Sequence, residues 1–336
     1  MTFLKGLKAL GKTQKMVLTV ILLMFLVFVP FLVTDAYILH ILITVLIYIV
    51  LALSLNLITG YTGQFSLGHV AFYGLGAYVA ALMMTSGINF WTSTLVAAAV
   101  CGIFGLLLGI PTLRLRGDYL AIVTLGFGEI FRLVLVNWVD VTRGPSGITA
   151  IPSPQLGNFV IDTKEKYYYT ILIVAVLAVI FMKRLTEGGF GMSMLTVQED
   201  EIAACSIGIN PVKYKLIAFV IGGIMAGIMG GFFASYMSFI SPDNFVYNTS
   251  ITMVSMIVLG GMGNVTGSIL GAMILVILPE ALRAFSDYRM ILYGLMMTLM
   301  MIFRPNGIWG SDKRKKNIYM INARGVIHET TSIAGK

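Results

Sequence analysis

The chain has 336 residues, of which 58% are hydrophobic and 11% are charged, and its formal net charge is +8. A soluble domain carries about 25% charged residues, so the composition excludes an ordinary soluble protein and predicts an all-α polytopic membrane protein. The basic excess does not require a nucleic-acid partner, because lysine and arginine accumulate in the cytoplasmic loops of such proteins. The two cysteines form no CxxC pair, and we expect no disulfide, metal ion or cofactor.

Residues 1–15 form a basic arm that we expect in the cytoplasm. The apolar run at 16–33 has no small-residue cleavage site after it, so it is predicted to be a retained signal anchor. The arm also contains GLKALGKT, which satisfies the GxxxxGK[ST] phosphate-loop pattern. A phosphate loop follows a buried strand, and the few residues before this one cannot supply it, so we predict no nucleotide site here.

Further apolar segments bring the expected number of membrane spans to about ten, each near the length that a bilayer requires. They lie at 37–58, 65–86, 91–110, 119–138, 168–182, 215–238, 246–262, 265–282 and 288–303. The transmembrane domain then covers 16–304, and a cytoplasmic tail follows at 305–336.

Basic residues orient these spans. The predicted outer loops hold Arg143, Lys164, Lys166, Arg283 and Arg289, and most other lysines and arginines lie in the predicted inner loops and tails. Both termini and the polar loop at 183–214 are therefore expected in the cytoplasm, and the loop at 139–167 is expected in the periplasm.

Glycines and polar residues interrupt the apolar pattern between Gly60 and His69. Gly60 and Gly63 disfavour a continuous helix, and Gln64, Ser66 and His69 supply polar groups. Irregular backbone at membrane depth is tolerated where protein or water covers it, so this segment is predicted to border a translocation pathway. A short cytoplasmic turn between two spans is the alternative.

Two charged residues, Glu129 and Arg132, lie inside the span at 119–138. They are three residues apart and share one helix face, so they could form an ion pair that fixes the orientation of the helix. A charge near the bilayer centre costs about 2.5–3.5 kcal/mol and requires a polar environment. The alternative is therefore that Glu129 faces the pathway or a partner subunit.

The polar loop contains a predicted short amphipathic helix that Gly208 terminates. Gln198, Glu199, Asp200 and Glu201 are expected in its first turn, where acidic groups favour the positive end of the helix dipole. Its apolar face is formed by Ile202, Cys205 and Ile209. A helix without a core of its own must pack on another surface, although an ordinary connector has the same pattern.

Small residues recur at four-residue spacing on several spans and predict close helix crossings. These stripes are Gly223, Gly227 and Gly231; Ala97, Cys101, Gly105 and Gly109; and Gly68 with Gly76 and Ala80. Their expected role is static packing.

Several long motifs span the chain. They are NLITGYTGQFSLGHVAFYGLGAY, RGDYLAIVTLGFGEIFR, TRGPSGI, QEDEIAA followed by GIN, and GGMGNVTGSILGA. Together they resemble the permeases of ABC importers for branched-chain amino acids, specifically the LivM type, over most of residues 40–305. The polar loop departs from that pattern, because Gly191-Met192-Ser193 and Val197-Gln198-Glu199 stand where Gly-Arg-Ala and Ile-Arg-Glu are expected.

The resemblance implies a transport subunit that is not itself an enzyme. It implies a second permease, two cytoplasmic ATP-binding subunits, a periplasmic binding protein, and leucine, isoleucine or valine as substrate. The short helix becomes a coupling helix whose implied contacts with an ATP-binding subunit are Glu199, Glu201, Ala203, Ala204 and Gly208. The expected pathway residues are Gly60, Gly63, Gln64, Ser66, His69, Glu129 and Arg132. Arg143 and Arg289 become candidate contacts for the binding protein, although a solvated loop without a partner is the alternative.

Other functions were weighed against this interpretation. Urea and short-amide permeases share the subfamily and are the closest alternative, together with a permease for another amino acid. A stand-alone channel or secondary transporter would need ion-coupling acids in its spans, and Glu129 is the one clear candidate. A membrane-embedded enzyme would need a motif such as HExxH or GxSxG, and the sequence has neither.

Overall fold

The computed structural model describes residues 24, 26–30, 35–115, 117–156, 159–282, 294–295, 298, 302–303 and 307–309. Within these ranges the chain is a bundle of helices with one pair of two-residue strands. The basic arm, most of the tail and Arg289 lie outside the described residues.

The long helices follow the predicted apolar segments. They are α1 (Ala36–Asn56), α2 (His69–Thr85), α3 (Phe90–Thr112), α4 (Asp118–Asn137), α6 (Lys164–Glu187), α9 (Pro211–Met237), α10 (Tyr247–Gly260) and α11 (Val265–Ala281). The shorter helices are α5 (Val139–Thr142), α7 (Gly189–Glu199) and α8 (Glu201–Ser206), and the antiparallel strands are β1 (Gln155–Leu156) and β2 (Phe159–Val160).

Local signals set several helix starts. Side-chain oxygens of Asp35, Asn89, Asn210 and Asn264 accept hydrogen bonds from backbone N–H groups in the first turns of α1, α3, α9 and α11. These N–H groups have no partner within a helix, so a capping oxygen stabilises the end. Pro211 follows Asn210 at the first helical position, where its missing N–H costs nothing.

The described helices support a membrane protein without confirming the number of spans. Five are long and apolar enough, by length and composition, to cross a bilayer: Ala36–Tyr61, α3, α4, α6 and α9. The helices α2 and α11 are apolar but shorter. The predicted spans at 16–33 and 288–303 lie largely outside the described residues.

The stripes of small residues form the contact of α9 with α2 and α3, except for Gly68, which packs on Thr124 of α4. A Cβ atom placed on Gly76 of α2 would lie 2.4 Å from Gly227 Cα, and one on Gly223 would lie 2.7 Å from the Cys101 carbonyl oxygen of α3. No side chain fits in these gaps, so the three backbones pack directly against one another. We refer to α2, α3 and α9 as the central helices.

The loop between α4 and α6 is folded against the end of the central helices. Ile148 and Ile240 exchange two backbone hydrogen bonds of 2.9 and 3.0 Å, and Trp91 Nε1 donates to the Gln155 carbonyl oxygen at 3.0 Å. We call this end of the bundle, which carries β1 and β2, the hairpin end. Because α6 runs from it to α7, the short helices α7 and α8 lie at the opposite end.

Candidate translocation pathway and coupling helix

The helix interruption predicted near Gly60 is present. The helix α1 continues into a π-helical turn over Leu57–Tyr61, residues 63–68 are non-helical, and α2 begins at His69. The predicted start of this span at residue 65 was therefore wrong, because Gly63, with φ at +72°, and the residues after it leave the helix. We call residues 57–69 the break segment.

The polar side chains of the break segment are buried and incompletely bonded. The Ser54 hydroxyl donates to the Leu51 carbonyl oxygen at 2.8 Å and lies 2.7 Å from His69 Nε2, so Nε2 is the donor and Nδ1 is an acceptor. His69 Nδ1, Gln64 Nε2 and Ser66 Oγ have no hydrogen-bond partner among the described residues. Because buried polar atoms are normally bonded, these three atoms have unused hydrogen-bonding capacity in this conformation.

Distant parts of the chain hold the break segment in place. The Gly263 N–H donates to Asn56 Oδ1 at 2.9 Å, and a Cβ atom on Gly60 would lie 2.4 Å from the Gly263 nitrogen. The Leu67 N–H donates to Thr124 Oγ1 of α4 at 3.0 Å. The segment is thus a fixed part of the fold and not a loose turn.

The break segment also contacts the polar loop. A Cβ atom on Gly63 would lie 3.0 Å from Gln198 Cγ, the side chain one residue before the end of α7. The last turn of α7 is therefore packed against the break segment.

The charged residues of α4 do not pair with each other. Arg132 Nη2 lies 3.3 Å from Asp243 Oδ1, in the turn between α9 and α10, and Glu129 forms no ion pair within the described part of the chain. The predicted i, i+3 pair was therefore wrong, because a loop carboxylate that the sequence places 111 residues away takes the arginine. Both Glu129 and Arg132 are half-buried.

The polar loop forms two helices and not one. Asp200 is extended, and its Oδ1 accepts from the N–H groups of Ile202 and Ala203 at 2.8 and 3.1 Å, so it caps α8. Gln198 and Glu199 lie in the last turn of α7, which corrects their predicted place in the first turn of the short helix.

The predicted end of the short helix at Gly208 is confirmed. Gly208 has φ at +83°, its N–H donates to the Cys205 carbonyl oxygen, and the next N–H, of Ile209, donates to that of Ala204. This pair of bonds is the Schellman arrangement, in which glycine is favoured because the left-handed backbone strains other residues.

The helix α8 exposes apolar side chains. Ile202 is 73% exposed and Ile207 just after the helix is 68% exposed, whereas Ala204 is fully buried against the rest of the loop. Ala203, Cys205 and Gly208 are also exposed. The surface formed by Ile202, Ala203, Cys205 and Ile207 is therefore open to contact with another protein.

Glu201, the first residue of α8, forms an ion pair with Lys215 of α9. Lys215 was not singled out from the sequence, because a lysine at the start of a span is an ordinary feature there. Its burial is a property of packing, and no local pattern reports it.

At the hairpin end, Arg143 borders an open groove of about 720 Å³. The groove is also lined by Thr85, Gly87, Asn89, Thr149, Ser153 and Gln155, among others. Arg143 is exposed and adopts a left-handed conformation with φ at +61°. The groove therefore offers one cation among neutral residues.

Comparison with known proteins identifies the family. Residues 37–303 match the family described as the permease component of branched-chain amino acid transport systems. The chain belongs to this family. It is 40% identical over 304 residues to the high-affinity branched-chain amino acid transport system permease protein LivM of Salmonella typhimurium, covering 83% of this chain and 72% of that one. To LivM of Escherichia coli it is 38% identical, covering 91% and 80% of the two chains.

Less similar relatives carry other names. The chain is 23% identical to the permease LivH of Salmonella typhimurium, covering 80% of this chain and 93% of that one. It is 29% identical, over 43% of its length and 48% of the relative, to the guanosine ABC transporter permease protein NupQ of Bacillus subtilis. No solved structure is significantly similar to the chain.

Proposed function

We propose that the chain is the LivM-type permease subunit of an ATP-driven importer for branched-chain amino acids. The observation that carries this proposal is the 40% identity, over most of the chain, to a permease named for high-affinity transport of these amino acids. A second, LivH-type permease completes the translocation pathway in this proposal, and a periplasmic binding protein delivers the substrate.

The energy comes from two cytoplasmic ATP-binding subunits, one of which docks on α8. Three features of α8 support this role: it is capped at both ends, it presents exposed apolar side chains, and it contacts the membrane helices through Glu201. A short helix of this kind fits a groove on a partner protein. Glu199, Ala203 and Gly208 lie at or beside this surface.

In the proposed topology the chain crosses the membrane about ten times, with both termini and α7–α8 in the cytoplasm. The hairpin end then faces the periplasm and receives the binding protein. Arg143 at the groove is the candidate charge contact there, and Arg289 is a second one that lies outside the described residues. The turn at Pro242–Phe245 lies at the same end, since Ile240 pairs with Ile148.

The pathway borders the break segment and the α4 face that carries Glu129. The unbonded atoms of Gln64, Ser66 and His69 support this assignment, since an amino acid that leaves water requires hydrogen-bond partners. The mid-span carboxylate of Glu129 supports it too, since lipid cannot solvate that charge. ATP-driven closure of the ATP-binding subunits would move α8 and switch the pathway from one side to the other.

Cys205 is a native cysteine on the docking surface, so chemical labelling can test that surface without introducing a new cysteine. The chain has two cysteines, and Cys205 on α8 is exposed whereas Cys101 is buried between α3 and α9. A membrane-impermeant maleimide should label Cys205 in inside-out vesicles and not in intact cells, and added ATP-binding subunits should protect it. Cys101→Ser should leave the labelling unchanged and Cys205→Ser should abolish it. Labelling from outside intact cells would contradict the topology.

The substrate is tested by uptake into proteoliposomes that contain both permeases, the ATP-binding subunits and the binding protein. We expect ATP-dependent uptake of leucine, isoleucine or valine. Uptake of urea or guanosine without leucine uptake would assign the chain to one of the alternative substrate classes.

A further inference from the structure

Lys215 is a buried cation at the junction of the polar loop and the membrane helices. It is 4% exposed and lies in the second turn of α9. It is the one lysine, arginine, aspartate or glutamate that is buried among the residues that the structure describes. Its Nζ donates to Glu201 Oε1, and the Glu201 side chain is 29% exposed. A buried ammonium group requires a charged partner of this kind.

The ion pair closes a short loop. The helices α8 and α9 are joined by residues 207–210, which include Gly208 in its left-handed conformation. The backbone hydrogen bonds that Gly208 and Ile209 donate return to α8 and do not reach α9, so they do not tie the two helices together. The Glu201–Lys215 pair bridges the connection and makes α8 and the start of α9 one unit.

The helix α9 moves as part of a larger body. Its glycines bring it into backbone contact with α2 and α3, and a Cβ on Gly230 would lie 2.3 Å from the Tyr73 carbonyl oxygen of α2. Contacts of this closeness resist sliding, because interdigitated backbones leave no free volume. Force applied to the start of α9 therefore reaches all three central helices, and α2 begins at the end of the break segment.

We propose that Lys215 is a positioning residue that transmits movement of α8 to the central helices through its ion pair with Glu201. This inference rests on the proposed function, in which an ATP-binding subunit displaces α8. During such a displacement α9 must follow or the pair must separate. Separation leaves the ammonium of Lys215 buried without this partner, so following is favoured.

The chain supplies its own control. Lys213 lies two residues before Lys215 on the same helix, and it is exposed. Lys215→Met and Lys213→Met each remove one positive charge near the start of α9, but only the first removes the ion pair. The double variant Glu201→Lys with Lys215→Glu restores a pair with the charges exchanged.

The measurement is the ratio of leucine taken up to ATP hydrolysed, in proteoliposomes that contain the complete importer. We expect Lys215→Met to hydrolyse ATP and to lower the ratio by about tenfold, within the usual range of coupling between sites. Lys213→Met should leave the ratio unchanged, and the exchanged pair should return it to within about threefold of wild type.

Each other outcome overturns the inference. An unchanged ratio in Lys215→Met would show that the pair transmits nothing, and a ratio that stays low in the exchanged pair would show that the pair is not the link. If Lys215→Met fails to reach the membrane, Glu201→Gln removes the same ion pair from the loop side. The ratio of leucine taken up to ATP hydrolysed is then measured for that variant. If neither variant reaches the membrane, the ion pair is required for folding and its role in transmitting movement is rejected. A wild-type complex without ATP-driven uptake would instead contradict the proposed function.

Discussion

The helices α4 and α6 are equally apolar and equally uncovered, yet their surfaces differ. In the most apolar window of each, mean hydropathy is 1.9 and 28% of the residues are buried by the rest of the chain. The helix α4 carries Glu129 and Arg132 within its span. The helix α6 has no charged residue between Tyr167 and Met182.

The difference predicts which of the two surfaces faces lipid and which is covered by another protein. Hydropathy and burial are the same for both helices, so neither quantity identifies the helix that faces lipid. A charge near the bilayer centre costs about 2.5–3.5 kcal/mol, so the flank of α4 with Glu129 requires a polar neighbour, whereas the exposed Ile173 and Leu177 of α6 do not. In the proposed importer α4 borders the second permease and the pathway, and α6 borders lipid.

The largest effect is expected when both exposed faces receive a charge. Leu177 of α6 is 60% exposed and Ile130 of α4 is 63% exposed, and both lie in the middle of their helices. Leu177→Glu should cost about 3 kcal/mol and lower the amount in the membrane by more than about tenfold. Ile130→Glu, beside the pathway, should lower it by less than about threefold. The measurement is an immunoblot of membrane fractions from cells that also express the second permease. If the two variants are lost from the membrane to the same extent, the proposed difference between α4 and α6 is wrong.

The next effect concerns the attachment of α4 to the break segment. A Cβ atom on Gly68 would lie 2.2 Å from the Thr124 carbonyl oxygen of α4, so Gly68→Ala should destabilise the protein by about 2 kcal/mol through overpacking. Gly188, which ends α6, is the control, because its Cβ would approach the nearest atom, the Arg184 carbonyl oxygen, no closer than 3.6 Å. Thermal unfolding in detergent measures both. If the unfolding temperatures of Gly68→Ala and Gly188→Ala are equal, the close packing of Gly68 on α4 does not contribute to stability.

A smaller effect is expected from the mid-span carboxylate itself. Glu129→Gln keeps the shape and removes the charge, so the protein should still reach the membrane while uptake falls by at least about tenfold, or roughly 1.4 kcal/mol in the barrier. Asp118→Asn removes a carboxylate from the first turn of the same helix, where it is exposed, and should leave uptake unchanged. Full uptake in Glu129→Gln would remove the reason to place α4 on the pathway.

The smallest effect is expected from the ion pairs near the hairpin end. The Arg132–Asp243 pair of α4 and the Lys166–Asp162 pair of α6 are both partly exposed, and such pairs contribute less than about 1 kcal/mol. The hydrogen bond from Lys166 lowers the pKa of Asp162, so this carboxylate stays charged at neutral pH. Asp243→Asn should reduce uptake by less than about threefold and Asp162→Asn by less still. If Asp162→Asn reduces uptake more than Asp243→Asn does, α6 and not α4 is the helix more important for transport.

The parts of this structure that the sequence predicted are those that local chemistry determines. Gly208 predicted the end of α8 because a left-handed backbone favours glycine, and the small-residue stripes predicted the close crossing of α9 with α2 and α3. Asp200 was wrongly predicted to lie in the first turn, because an aspartate is favourable both there and at the cap, and the backbone conformation separates the two.

The features that the sequence did not predict are set by distant packing. Arg132 has a carboxylate three residues away and another 111 residues away, and it pairs with the second. The burial of Lys215 and its pair with Glu201 depend on how the polar loop folds onto α9. Spacing along the chain carries no information about either contact.

The break segment has a further consequence for how the protein is made. Its contacts include Thr124, Gln198 and Gly263, and Gly263 is 207 residues from its hydrogen-bond partner Asn56 at the end of α1. Because a ribosome adds about 5–20 residues per second, the segment is synthesised roughly 10–40 seconds before Gly263 exists. Thr124 and Gln198 are synthesised within that interval, but the contact of Gly60 with Gly263 cannot form until the interval ends. The last contact of the break segment therefore forms only after α10 has been synthesised, and a chain released before that point would lack it.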